Sequence, residues 1–167
     1  AGTHDSATTD GRPRTINWRH RVSIVGPQAN NLERLQPGTA LLVQGTLRSR
    51  DVTQEDGSRR HRVEVYGQRA QVTPHPGRGT QDAEGRPYLE GGTNQVTLEG
   101  NLTRDIELRH TQAGVPVARG TLATNLPDPR DPRLTDPQFI AIILWGELAD
   151  RLANAQKGAR IYLQGMY

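Results

Sequence analysis

A shift of 120 residues lays this chain over itself without a gap. The segment Val22–Leu47, VSIVGPQANNLERLQPGTALLVQGTL, falls on Ile142–Tyr167, IILWGELADRLANAQKGARIYLQGMY. Identical pairs are Gly26/Gly146, Ala29/Ala149, Leu32/Leu152, Gln36/Gln156, Gly38/Gly158, Gln44/Gln164 and Gly45/Gly165. Apolar character also matches at Val22/Ile142, Ile24/Leu144, Leu41/Ile161 and Val43/Leu163. Solenoid repeats recur every roughly 20–50 residues, so an offset this long marks duplicated domains.

Each copy reads the same way. A strand, Arg19–Val25 or Phe139–Trp145, ends at a glycine. A short amphipathic helix follows, near Gln28–Leu35 or Glu147–Asn154, with Leu32 or Leu152 facing inward and a Pro-Gly or Lys-Gly turn as its stop. An alternating strand comes next, Ala40–Arg50 or Arg160–Tyr167. The first copy continues through a hairpin tip at Glu55-Asp56-Gly57-Ser58 to a strand over His61–Val72. In the second copy, strands over Asn94–Arg104 and Val117–Thr124, joined through Thr111-Gln112-Ala113-Gly114, come first. The Gly/Pro-rich segment Thr73–Gly92 has no apolar period and reads as a linker. The prolines of Asn125–Pro137 argue against helix or central strand and predict an exposed, mobile loop.

Composition favours small barrels over one large core. Hydrophobic residues make up 33% of the 167, against roughly 45–50% (glycine included) in an average globular domain. A barrel interior takes only alternate side chains along each strand, so it needs fewer. The expected divisions are 1–73, 74–92 and 93–167. The first copy lacks counterparts of roughly residues 93–124, and the second of 48–73, so the chain reads as truncated at both ends or as completed by another subunit. Cysteine is absent, which excludes disulfides and cysteine-ligated metal and fits a reducing cytoplasm. No apolar run approaches the roughly 18 residues of a membrane span.

The run Asn94–Gly114, NQVTLEGNLTRDIELRHTQAG, resembles the opening strand and turn of the bacterial single-stranded DNA-binding (SSB) protein family. His20–Gly26 and Phe139–Gly146 look like its central strand, and Gly38–Arg50, GTALLVQGTLRSR, like the next. Two copies per chain resemble the Deinococcus–Thermus variety. The resemblance implies an all-β chain of two tandem OB folds (Greek-key β-barrels), each with a short helix. It also implies a cytoplasmic, nucleoid-associated homodimer with four OB folds that binds single-stranded DNA in replication, recombination and repair without a cofactor. The family's acidic C-terminal tip, which recruits replication and repair proteins, does not occur in these residues. Its base-stacking aromatic positions fall on Phe139 and Trp145 in the second copy. In the first they fall on Arg19, Val25 and Val52, with Trp18 adjacent.

The residues themselves suit such a ligand. Unpaired DNA presents phosphates and bare base faces, so a sequence-tolerant binder needs cations and flat platforms. Phe139 and Trp145 share a strand face, and Ile140, Ile142 and Leu144 make the better core on the other. Twenty of the 21 basic residues are Arg, whose planar fork pairs with phosphate and stacks on bases, although G- and C-rich codons favour Arg equally. Residues 1–73 hold 11 Arg against seven acids, whereas 93–167 balance at eight each. Arg48 and Arg50, with Arg59, Arg60 and Arg62 across the hairpin, offer up to five cations on one ribbon, partly neutralised by Asp51, Glu55 and Asp56 if the tip is an ordinary solvated turn. Arg19 and Arg21 flank His20, which the resemblance places near the subunit interface and which reads equally as a buried, satisfied ring. Trp18 is either a further platform or packs under the N-terminal segment. Arg104, Arg109 and Arg119 sit on the groove rim or pair with Asp105 and Glu107.

Catalytic signatures are missing. His4, His20, His61, His75 and His110 show no metal-ligand spacing, and no nucleophile elbow or phosphate-cradling loop occurs. Asp128, Asp131 and Asp136 are separated by prolines, a weak arrangement for a metal. The rival reading is an OB-fold assembly module whose main ligand is another protein of a replication or repair complex. RNA is a further candidate, because stacking and phosphate contacts do not reject a 2′-hydroxyl.

Overall fold

A computed structural model of the chain describes residues 2–7, 13–74, 79–82, 84–128, 131 and 133–167, with side chains from Trp18 onward. His75, the rest of 75–78, and Pro129, Arg130 and Pro132 of the proline loop lie outside the described residues. The chain divides into two compact units, Ala1–Arg48 with Glu64–Asn94, and Ser49–Val63 with Gln95–Tyr167. Among the described residues, the all-β expectation with two short helices holds.

The first unit opens with strands β1 (Gly2–Ala7) and β2 (Pro13–Trp18), an antiparallel pair with Gly2 opposite Trp18. This polar stretch has no apolar alternation, so sequence reading found no strand in it. β3 (Val22–Ile24) is shorter than the seven-residue strand expected at Arg19–Val25. Helix α1 (Pro27–Leu32) starts on proline, which tolerates the first helical turn because its missing N–H has no intrahelical partner there. Strands β4 (Leu41–Thr53) and β5 (Arg59–Val72) form the anticipated hairpin, closed where Gln54 N–H donates to the Ser58 carbonyl at 2.8 Å. β3 joins β5 in parallel, Val22 opposite Val65.

The segment read as a linker is partly ordered by pairing. β6 (Gly79–Gln81) and β7 (Pro87–Leu89) are antiparallel, and β7 meets β1 at Leu89 and Gly2. Asp82 holds the connecting turn by accepting the backbone N–H groups of Glu84 and Arg86 and the Arg86 guanidinium. An Asx-type turn supplies what the missing apolar period did not reveal.

The second unit contains β8 (Val96–Leu102), β9 (Glu107–His110), β10 (Pro116–Pro127), β11 (Thr135–Trp145), α2 (Glu147–Leu152) and β12 (Arg160–Gly165). Its sheet runs β11-β10-β8-β12, with β9 also on β10. A meander whose last strand returns beside its first is the Greek-key order. β9 lies between the strands expected over Asn94–Arg104 and Val117–Thr124 and is an additional strand.

The loop expected over Asn125–Pro137 is a correction. The β10–β11 ladder continues outward with Asn125 opposite Pro137 and Pro127 opposite Thr135. Pro127 and Pro137 are exposed there, on a two-stranded ribbon beyond the reach of β8, where an edge position needs no donor from either ring.

Among the described residues, every fully buried apolar side chain lies in the second unit. Leu102, Ile106, Ala118, Leu122, Ile142, Leu144, Ala149 and Ile161 form one cluster, with Leu98, Leu152 and Leu163 packed against it. Leu152 therefore faces inward as the repeat predicted. In the first unit Val22, Val25, Leu41, Leu42 and Val72 remain exposed. Two of the repeat's three glycine identities have a backbone cause in positive φ. Gly26 and Gly146 open the two helices at φ 85° and 60°, and Gly38 and Gly158 follow them at 92° and 86°, a region other residues rarely adopt.

Candidate nucleic-acid interface

Strand β11 alternates strictly from Pro137 to Trp145. Gln138, Ile140, Ile142 and Leu144 are buried, whereas Phe139, Ile143 and Trp145 are 44%, 54% and 59% exposed. Continuous aliphatic character wins the core, and the two aromatic rings remain outside, as sequence reasoning expected. Register extends this outer face across the sheet. Phe139 stands opposite Ala123, Ala123 opposite Asn101, and Asn101 opposite Arg160. Arg119 sits between Ile143 and Glu107, and Tyr162 on β12 is 62% exposed on the same face. A flat hydrophobic row beside a guanidinium is chemically suited to bases and phosphates together.

The rim arginines are partly engaged. Glu107 Oε1 lies 3.2 Å from Arg104, and its Oε2 lies 3.8 Å from Arg109. All three side chains are exposed, so these pairs are weak and exchangeable.

The hairpin arginines do not share one face. Arg48, in the first unit, is half-buried with its guanidinium 5.1 Å over the Tyr66 ring, a cation–π contact. Strand alternation on β5 sets Arg60 and Arg62 on one side and Arg59 with His61 on the other. Arg50, Arg59 and Arg60 are exposed, and Arg62 is half-buried.

In the first unit Trp18 is half-buried and stacks on His20 at 5.2 Å between ring centroids, 15° from parallel. One face of the indole is therefore occupied, and its edge packs over Gly92. Burial holds the His20 pKa below the usual imidazole value, which favours a neutral stacking partner. Arg19 pairs with Asp82, and Arg21 is exposed. These residues are not gathered into a platform comparable with β11.

The second unit also has polar groups that sequence reading missed. The outer half of the β4–β5 hairpin touches β11 at Gln138 and Phe139. Ser49 N–H donates to Gln138 Oε1 at 2.6 Å, and Phe139 N–H donates to Ser49 Oγ at 2.9 Å. His61 Nε2 lies 2.9 Å from the Phe139 carbonyl oxygen, and its Nδ1 lies 3.0 Å from Asp51 Oδ1. A glutamine at an inward position of β11 was the available signal. Nothing in the run around His61 marked it.

Among the described residues, no group of three or more His, Cys, Asp or Glu side chains could hold a metal. Asp131 instead binds Arg133 at 2.9 and 3.0 Å, and that guanidinium holds its carboxyl below the ordinary range. No helix among them is long and apolar enough to cross a membrane.

The single-strand binding protein family matches residues 2–73 and 93–166. A single-stranded DNA-binding protein from Deinococcus radiodurans is 36% identical over 160 residues, covering 93% of this chain and 53% of its own length. The Thermus aquaticus counterpart is 35% identical over 169 residues, covering 99% and 62%. The chain thus spans between about half and two thirds of these relatives. The crystal structure of the wild-type Thermus aquaticus single-stranded DNA binding protein superposes with a TM-score of 0.74 at 29% identity, covering 98% of this chain and 69% of that one. A deletion mutant of it gives 0.76 at 28% identity, covering 99% and 70%.

Proposed function

This chain belongs to the single-strand binding protein family, and from that premise we propose that it binds single-stranded DNA without sequence preference and without catalysis. The carrying observation is the strand β11 alternation, which leaves Phe139, Ile143 and Trp145 exposed beside Arg119 while the aliphatic residues fill the core. Bases stack on Phe139 and Trp145. Arg104, Arg109 and Arg119 neutralise phosphates along the same face, and Arg50, Arg59, Arg60 and Arg62 extend the cationic path along the hairpin. Trp18, Arg19, Arg21 and Arg48 are secondary contacts, since Trp18 is stacked on His20, Arg19 is paired with Asp82 and Arg48 rests on Tyr66.

The repeats 1–73 and 93–167, joined by 74–92, act as two OB modules of a homodimer in replication, recombination and repair, in the nucleoid of the cytoplasm. The exposed Val22, Val25, Leu41, Leu42 and Val72 of the first unit support an assembly role for that half. Titration with oligo-dT tests the reading. Quenching of Trp145 fluorescence that persists in W18F, vanishes in W145F and weakens as salt rises supports it. An unchanged signal at low salt overturns it, and cleavage of the oligonucleotide overturns the non-catalytic part.

A further inference from the structure

The ring of His61 faces an acceptor on each side. Asp51 Oδ1 on β4 lies 3.0 Å from Nδ1, and the Phe139 carbonyl on β11 lies 2.9 Å from Nε2. Neither acceptor can donate. A neutral imidazole carries one N–H, so it satisfies one contact and sets a lone pair against the other oxygen. Only the imidazolium donates to both. We propose that His61 is a protonation-dependent clamp that fastens the outer half of the β4–β5 hairpin to β11 at the backbone of Phe139.

Three observations support a clamp rather than an incidental pair. The same stretch is gripped twice more, by Ser49 N–H on Gln138 and by Phe139 N–H on Ser49 Oγ. Tyr167 O–H donates to the Val63 carbonyl at 2.7 Å, fixing β5 two residues further on. The hydrogen bond to Asp51, then that to Phe139, raises the pKa of His61 above the ordinary imidazole value. The charged neighbours of the ring are few. β4 presents Asp51, β5 places Arg59 on the same side, and β11 has no ionisable side chain at Gln138, Phe139 or Ile140. Asp51 is the closer charge and favours the cation, whereas Arg59 opposes it.

The sign follows. A raised folded-state pKa gives stabilisation that is complete below the unfolded value, near 6.5, and is lost as pH rises through the folded value. The hairpin is therefore held most firmly in mildly acidic solution and loosens on the alkaline side.

The clamp is independent of DNA binding and is tested without DNA. Nuclear magnetic resonance of the full chain reads the His61 titration and the exchange protection of the Ser49 and Phe139 amides, corrected for intrinsic base catalysis. The expected result is a His61 pKa above the free-histidine value, with protection falling about tenfold across that titration, the worth of roughly one charge-assisted hydrogen bond. D51N moves the titration to lower pH, and the protection step follows it. H61Q flattens the pH profile. A His61 titrating at its ordinary value overturns the proposal, as does protection that follows the same profile in H61Q.

Discussion

The carboxamide of Gln138, fully buried at 0% exposure, accepts the backbone N–H of Ser49 at 2.6 Å and donates to the Asp136 carbonyl at 3.1 Å. A polar side chain at an inward strand position thus satisfies the backbone of a neighbouring hairpin. Replacing it with leucine keeps the volume and strands the Ser49 donor. Q138L is expected to lower stability by about 1–3 kcal/mol, the desolvation cost of an unpaired buried group. Chemical denaturation of the variant against the parent checks this, and loss of Ser49 amide protection locates it.

Phe139 and Trp145 contribute little to the core because much of each ring is already in solvent. F139A and W145A should therefore change stability by no more than about 1–1.5 kcal/mol, about half the worth of a fully buried aromatic. Each should weaken oligo-dT binding by about 1–3 kcal/mol, the usual worth of one stacked base. Anisotropy titrations paired with thermal melts separate the two effects. Large destabilisation with unchanged affinity would contradict the platform assignment.

Glu107 competes with any approaching anion for Arg104 and Arg109. The neutral E107Q should bind oligo-dT more tightly at low salt and show a steeper dependence of log K on log salt, by up to about one unit. Its melting should barely move, since exposed pairs are worth about 0–1 kcal/mol. Weaker binding in E107Q would give the glutamate a direct role with the ligand.

At Gly100, β8 runs close against the backbone of β10. A Cβ there would stand 2.4 Å from the Ala123 carbonyl oxygen, which is backbone and cannot swing aside. G100A should destabilise the second unit by about 1–3 kcal/mol, the range for overpacking. G165A is the control, with nothing within 4 Å of the added carbon. Equal melting of the two variants would show that β8 and β10 separate freely.

The sequence disclosed most where physical demands repeat along the chain. Strand β11 alternates so regularly that the inward and outward sides of Phe139–Trp145 are readable from the sequence alone. The 120-residue offset revealed both helices because Gly26 and Gly146 must take positive φ. Long-range pairing was less legible. β1, β2, β6 and β7 lack apolar alternation and exist because they pair with one another. The prolines of 125–137 argued for a loop, although an exposed ribbon edge tolerates them. His61 stayed hidden because its partners are the Asp51 carboxylate across a hairpin and a backbone carbonyl 78 positions away.

The one-sided distribution of sealed apolar side chains bears on how the chain comes apart. Opening free energy follows the nonpolar area a region removes from water, and among the described residues the sealed apolar side chains lie in the second unit, most of them in the Leu122 cluster, which should open last. A heating curve on this chain should broaden or split rather than fall in a single step. The outer part of the β4–β5 ribbon, Ser49–Val63, belongs to the second unit and should be released only when that unit opens.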